Sequence, residues 1–135
     1  MYIGDYLDRR MIYSPDELAI VDTGKTPELR LSFAQLNERA NRLANALREV
    51  AGVGKGDRVA ILALDGVEHL DLLFACGKLG AIHTALNWRL HWRELQQILA
   101  EVTPTVLLYD TAMQASVAEL AQADTPVRHW IHLDG

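Results

Sequence analysis

The sequence predicts an α/β protein with an open, mostly parallel sheet, helices on both faces and a small N-terminal hairpin. Residues 59–64 are an unbroken apolar run without alternation, which is typical of a strand buried on both faces. Residues 66–79 carry apolar side chains at helical spacing, and Gly80 separates them from a second apolar run, 81–86. Strand, helix and strand in this order predict a βαβ unit with a right-handed crossover.

The segment before this unit begins with a predicted helix over residues 2–11 and a peripheral hairpin. The hairpin is indicated by two short apolar runs, 18–21 and 29–31, which flank turn residues.

Ser32 begins the clearest helix of the chain. Its hydroxyl can cap the third backbone N–H, while Gln35 can reach back to complete a capping box. Gly52 ends the helix by permitting a left-handed residue. One apolar stripe is expected to face the core, formed by Phe33, Leu36, Ala40, Leu43, Leu47 and Val50.

The segment after the βαβ unit continues the alternation of helices and strands. A loop at 87–91 is followed by helix, strand, helix and strand around residues 95–102, 105–109, 113–121 and 127–133. Asp110 or Thr111 is expected to cap the second of these helices. We expect one domain, residues 1–135, whose strand order the sequence leaves open.

Composition limits the function. The 135 residues carry a net charge of -5, so no basic face is available for nucleic acid. Charges interrupt every apolar run, and no membrane-spanning segment is expected. The N-terminus lacks the order of a secretory signal, and Cys76 has no partner for an internal disulfide. These features predict a cytoplasmic protein.

The glycine-rich stretch 52–57 contains Lys55 and suggests a phosphate-binding loop. Such a loop follows a strand and begins a helix, so that backbone N–H groups point at the phosphate. Here a helix precedes the stretch and a strand follows it, and the Ser or Thr after the lysine is missing. A helix stop followed by a turn is the favoured interpretation.

Ligands of parallel sheets bind at the carboxyl ends of the strands, which the sequence places at Asp65, 87–89 and Asp110. Asp65 could act as an acid or bind a metal, but the partners of a phospho-acceptor site are missing, which favours a helix cap or turn residue. Arg89 is the residue we expect to be functional, because a guanidinium suits phosphate or carboxylate. The alternative is a surface arginine paired with Glu94.

The other reactive side chains predict neither catalysis nor a metal site. The five histidines show no metal-ligand spacing. Cys76 lies in an apolar helix without basic neighbours, which predicts an inert core thiol. Trp88 and Trp92 are expected to pack the loop around Arg89 rather than stack on a nucleotide. By themselves, the residues therefore describe an α/β domain without a complete active site.

Three segments resemble the N-terminal region of the adenylate-forming acid–CoA ligases, the acyl-CoA synthetase or fatty-acid–CoA ligase family. Residues 31–44 resemble the family's opening motif, and residues 54–61 resemble its first core strand with the preceding turn. Residues 78–90 resemble a motif that starts Lys-x-Gly-Ala and ends Leu-Asn-Pro-Arg-Leu, with Trp88 in place of proline. Asp65-Gly66 replaces the common Pro-Asn after the first core strand.

The resemblance implies a partial N-terminal piece of the large domain of a longer ligase. Such enzymes convert a carboxylic acid, here expected to be a fatty acid, with ATP and Mg²⁺ into an acyl-adenylate, which CoA converts into a thioester. The ATP-binding and catalytic motifs lie beyond this chain. No catalytic residue, metal ligand or bound cofactor is therefore expected in it, and the chain alone should be inactive.

The resemblance also implies one binding residue, because Arg89 matches a family position that faces the phosphates of CoA. A homodimer is expected through surface that the missing parts would cover. Two alternatives stay open: a stand-alone α/β binding or regulatory module, and another adenylate-forming enzyme such as an amino-acid adenylation domain.

Overall fold

A computed structural model describes residues 5–133, apart from the side chain of Asp5. The helices span Asp5–Tyr13 (α1), Phe33–Ala51 (α2), Val67–Leu79 (α3), Trp92–Val102 (α4) and Gln114–Gln122 (α5). The strands span Leu18–Asp22 (β1), Leu29–Ser32 (β2), Arg58–Leu62 (β3), Ile82–Ala85 (β4), Val106–Tyr109 (β5) and His129–His132 (β6). Every predicted helix and strand is present, although the predicted start of the first helix lies outside the described residues.

The elements group into two compact units. The first contains α1, the antiparallel β1–β2 hairpin, α2 and α3, and the second contains the four remaining strands with α4 and α5. The α/β class, the parallel sheet and the hairpin are confirmed. One domain over residues 1–135 stays a prediction.

In the first unit, α2 begins and ends as its sequence predicts. The Ser32 hydroxyl accepts the Gln35 N–H at 3.2 Å, and the Gln35 side chain accepts the Ser32 N–H at 2.8 Å. Gly52 has φ +65° at the end of the helix. The predicted stripe is wrong at Val50, which is 69% exposed. Its members follow a seven-residue repeat, which drifts by about 20° per repeat on a straight helix, so the last one has turned away from the core.

The hairpin supplies the cap of α3. Val67 begins this helix, and its backbone N–H donates to Asp22 Oδ2 at 3.0 Å. The N-cap position itself is Gly66, which has no side chain to offer. Of the two roles predicted for Asp65, the turn residue is the one observed, because Asp65 lies exposed in the bend before the helix.

In the second unit, four parallel strands have the order β4-β3-β5-β6. Alternate side chains of β3 and β5 pack with α4 and α5 into one core cluster, formed by Ala60, Leu62, Leu86, Leu95, Leu99, Leu107, Val117 and Leu120. The intervening side chains, Val59, Ile61, Val106 and Leu108, are also fully buried. Both faces are therefore shielded from water, which explains the run without alternation.

Candidate functional site

The loop after β4 holds Arg89 at a carboxyl end of the sheet, as the sequence predicts. Asn87 shapes this loop, because its side-chain oxygen accepts the N–H of Arg89 at 3.0 Å. The exposed guanidinium lies 4.8 Å from the ring centroid of Trp88. Trp88 itself packs against the core cluster, as expected. Among the described residues Arg89 has no carboxylate partner, so the alternative pairing with Glu94 is not formed.

A second guanidinium lies close in the sequence, at the start of α4. Arg93 lies 5.3 Å from the ring centroid of Trp92. His91 caps the helix, because its Nδ1 accepts the N–H of Arg93 at 3.2 Å. Two cations next to a helix N-terminus make this end of the second unit attractive to an anion.

The crevice between β3 and β5 is where the chain connections change direction, which is the usual ligand position of an open parallel sheet. Here the carboxylate of Asp110 fills it. Its Oδ2 accepts the N–H of Leu64 at 2.9 Å, and its Oδ1 accepts the N–H of Met113 at 3.2 Å. A phosphate would find these donors used and would meet a negative charge. The residues at this crevice therefore do not fit the phosphates of ATP.

The next strand end carries an aromatic pair. The rings of Tyr109 and His132 stack with centroids 5.0 Å apart, and the Nε2 atom of His132 lies 3.0 Å from the hydroxyl of Thr111. These contacts join the ends of β5 and β6. No sequence pattern predicts them, because they depend on strand order.

Three further sequence expectations concern Cys76, a metal site and a membrane-spanning helix. Cys76 is 1% exposed, and burial raises the pKa of its thiol to about 12, which confirms the inert core thiol. Within residues 5–133, no three acidic, histidine or cysteine side chains are arranged to hold a metal ion. In the same range, no helix has the length and apolar character needed to cross a membrane.

Arg89 and Asp110 both follow their strands, as predicted, but Asp110 caps the 3-10 helix Thr111–Met113 in front of α5 and not α5 itself. The roles of two residues were not predicted. The sequence predicts a loop at His91, whereas this residue is the N-cap of α4. Its position just before a helical stripe is the signal that is compatible with this role. The second role of Asp110, as acceptor for Leu64, joins two strands that are distant in the sequence.

Comparison with known proteins adds the family. Residues 7–135 match the family described as AMP-binding enzyme. The chain is 36% identical to an indoleacetate–CoA ligase of Aromatoleum aromaticum over 97% of its length, and 36% identical to the long-chain-fatty-acid–CoA ligase FadD13 of Mycobacterium tuberculosis over 98%. It spans 26% of each of these proteins.

A solved structure agrees with this match. The N-terminal domain of FACL13 from Mycobacterium tuberculosis superposes with a TM-score of 0.91 and 36% identity, over 99% of this chain and 34% of that one. The chain belongs to the AMP-binding enzyme family.

Proposed function

We propose that these residues are the N-terminal part of a longer ATP-dependent acid–CoA ligase. The enzyme would join a carboxylic acid to AMP with release of pyrophosphate, and CoA would then displace AMP to give a thioester. The match of residues 7–135 to the AMP-binding enzyme family carries this proposal. It is supported by the two relatives described above, which are both CoA ligases and about four times as long.

A fatty acid is the proposed acid, on the likeness to the long-chain-fatty-acid–CoA ligase. The equal identity to an indoleacetate–CoA ligase makes an aromatic acid the competing outcome. Thioester formation by the longer protein with palmitate, and little with indoleacetate, would support the proposal. The reverse preference would contradict the fatty acid while leaving the ligase activity intact.

We also propose that the 135 residues alone do not form an adenylate. Positioning the phosphates of ATP supplies most of the catalysis in such reactions. The crevice between β3 and β5 cannot provide it, because the carboxylate of Asp110 occupies its donors. We therefore propose that ATP and Mg²⁺ bind to the longer protein.

A pyrophosphate exchange assay tests separately the ligase activity of the longer protein and the inactivity of the 135 residues. The longer protein should incorporate labelled pyrophosphate into ATP only when the acid is present, whereas the 135-residue chain should give no exchange above background. Acid-dependent exchange by the short chain would overturn its proposed inactivity. No exchange by the longer protein with any acid would overturn the ligase proposal and favour a binding or regulatory module.

Arg89 is proposed to contact a phosphate of CoA. Its fork of N–H donors is exposed and has no described carboxylate partner, and the Trp88 ring limits its freedom. CoA supplies the thiol of the second step when it is bound, and Arg89 would hold its nucleotide end in place. Because this contact is far from bond breaking, its loss should weaken CoA binding uniformly.

The test compares Arg89→Gln with Arg128→Gln, an exposed arginine of the same unit. In the longer protein, Arg89→Gln should raise KM for CoA by roughly tenfold, as expected for one charge-assisted phosphate contact, with kcat and KM for ATP unchanged. Arg128→Gln should change none of these constants. Equal effects of the two variants, or no effect of the first, would contradict the assignment.

A further inference from the structure

A cavity of about 680 Å³ opens in the first unit beside the second half of α2, the end of α3 and Lys55. This volume lies within the range of small-molecule sites, about 300–1,000 Å³. The room exists because Ala44 of α2 and Gly77 of α3 contribute almost no side-chain volume to its wall.

The cavity is lined by three cations, although the chain as a whole is acidic. They are Arg48, Lys55 and Lys78, and the carboxylate among the lining residues is that of Asp8. Arg48 and Lys78 also lie in the last turns of their helices, where each helix end carries roughly half a negative charge. One carboxylate and two half charges do not neutralise three cations, so the cavity is net positive.

Each cation is held in place by a neighbour. Lys78 Nζ donates to Asn37 Oδ1 at 2.9 Å and to Asp8 Oδ1 at 3.4 Å. Arg48 Nη2 donates to the side-chain oxygen of Asn45 at 2.7 Å. Groups that are already ordered lose less entropy when a ligand arrives. Both charged groups have more N–H donors than these bonds use.

Lys55 is positioned by packing instead. A Cβ atom added to Gly80 would lie 3.3 Å from Lys55 Cγ, so the stem of the lysine runs directly over this glycine. The glycine-rich stretch is thus a helix stop and turn, as the sequence predicts, but it also delivers a cation to the cavity. The contribution comes from the side chain and not from a nest of backbone N–H groups.

From these features we propose that the cavity binds a small phosphate monoester with a compact apolar body. A dianionic phosphate matches several cations better than a single carboxylate does. Ala44, Leu79 and the lysine stem offer apolar surface to the body of the ligand. The site is independent of the proposed ligase activity.

The test is a titration of the ¹⁵N-labelled 135-residue chain with phenyl phosphate, followed by amide chemical shifts at constant ionic strength. Saturable shifts are expected at amides of the cavity wall, such as Asn45, Lys55 and Gly80. Lys55→Met keeps the stem over Gly80 but removes the charge, and it should weaken binding by roughly fivefold to tenfold. Arg48→Gln should do the same.

Arg42→Gln is the matched control, because Arg42 lies on the same helix, pairs with Glu38 and does not line the cavity. It should leave the affinity unchanged. Inorganic phosphate should bind more weakly than phenyl phosphate, since it has no apolar body. The proposal is overturned if phenyl phosphate gives no saturable shifts, if the shifts lie outside the cavity wall, if the two variants bind like the wild type, or if inorganic phosphate binds equally well.

Discussion

Removal of the Asp22 side chain should destabilise the first unit, because this carboxylate caps α3 from a distant strand. It accepts the N–H groups of Val67 at 3.0 Å and Gly24 at 2.9 Å, and it pairs with Lys25 at 3.0 Å. Asp22 is 7% exposed and Val67 is 2% exposed. Water therefore cannot replace the acceptor that Asp22→Ala removes.

The expected loss follows from these contacts. A buried N–H left without an acceptor costs about 1–3 kcal/mol. The lost pairing with partly exposed Lys25 adds about 0–1 kcal/mol, because Lys25 keeps Glu68 at 2.9 Å as a second partner. Asp22→Ala should thus lower the free energy of unfolding by about 1–4 kcal/mol in urea titrations. Asp22→Asn, which retains one side-chain oxygen, should cost about 1 kcal/mol.

The pH dependence has a definite sign. The N–H of Val67, followed by Lys25, holds the pKa of Asp22 below its usual value of 3.8. A carboxylate whose pKa is lowered by folding stabilises the folded state fully above the unfolded pKa. That stabilisation is lost as the pH falls through the lower folded pKa. The stability gap between wild type and Asp22→Asn should therefore stay constant at neutral pH and close below about pH 3.8.

Asp65→Asn is the control, since Asp65 precedes the same helix and is exposed. Its effect should stay within about 0.5 kcal/mol. The capping role of Asp22 is contradicted if Asp65→Asn costs as much as Asp22→Ala, or if Asp22→Ala unfolds at the same urea concentration as the wild type.

Three further predictions use other features. Cys76 lies in the first unit and should resist a thiol reagent in the native chain. On unfolding it should react at the same urea concentration at which the tryptophan fluorescence of the second unit changes. Two separate transitions would disprove the single domain. Thr103 has φ 55° at the end of α4. Because Asn tolerates this conformation better, Thr103→Asn should raise the free energy of unfolding by about 0.5–1 kcal/mol. A lower urea midpoint for this variant would contradict the prediction. The chain should elute as a dimer in size-exclusion chromatography. The variant Ile12→Glu, which changes a residue that is 75% exposed, should elute as a monomer. A monomeric wild type would refute the expected dimer.

Local signals in the sequence predicted the elements well. Ser32 and Gln35 lie three residues apart, so the capping box requires nothing outside one helical turn. Gly52 and Gly80 end their helices for an equally local reason, since both have positive φ angles that favour glycine.

The errors and omissions concern contacts between distant segments. Asp22 and Val67 are 45 residues apart, and Leu64 and Asp110 are 46 apart, so no short pattern contains both partners. Strand order likewise depends on contacts between segments that are distant in the sequence. For the candidate site, the position of Arg89 followed from the strand pattern, whereas its stacking on Trp88 depends on side-chain conformations that sequence spacing does not fix.

The order of the sheet also has a consequence for self-association. Within residues 5–133, β4 and β6 each pair with a neighbour on one side only. The outer margin of β4 is therefore an edge of the sheet, and Ile82 in this strand is 49% exposed. A strand from elsewhere in a longer polypeptide, or from another molecule, can extend the sheet there. Because β4 has only four residues, such an extension gains few ladder bonds, and its lifetime is set mainly by the side chains that accompany it.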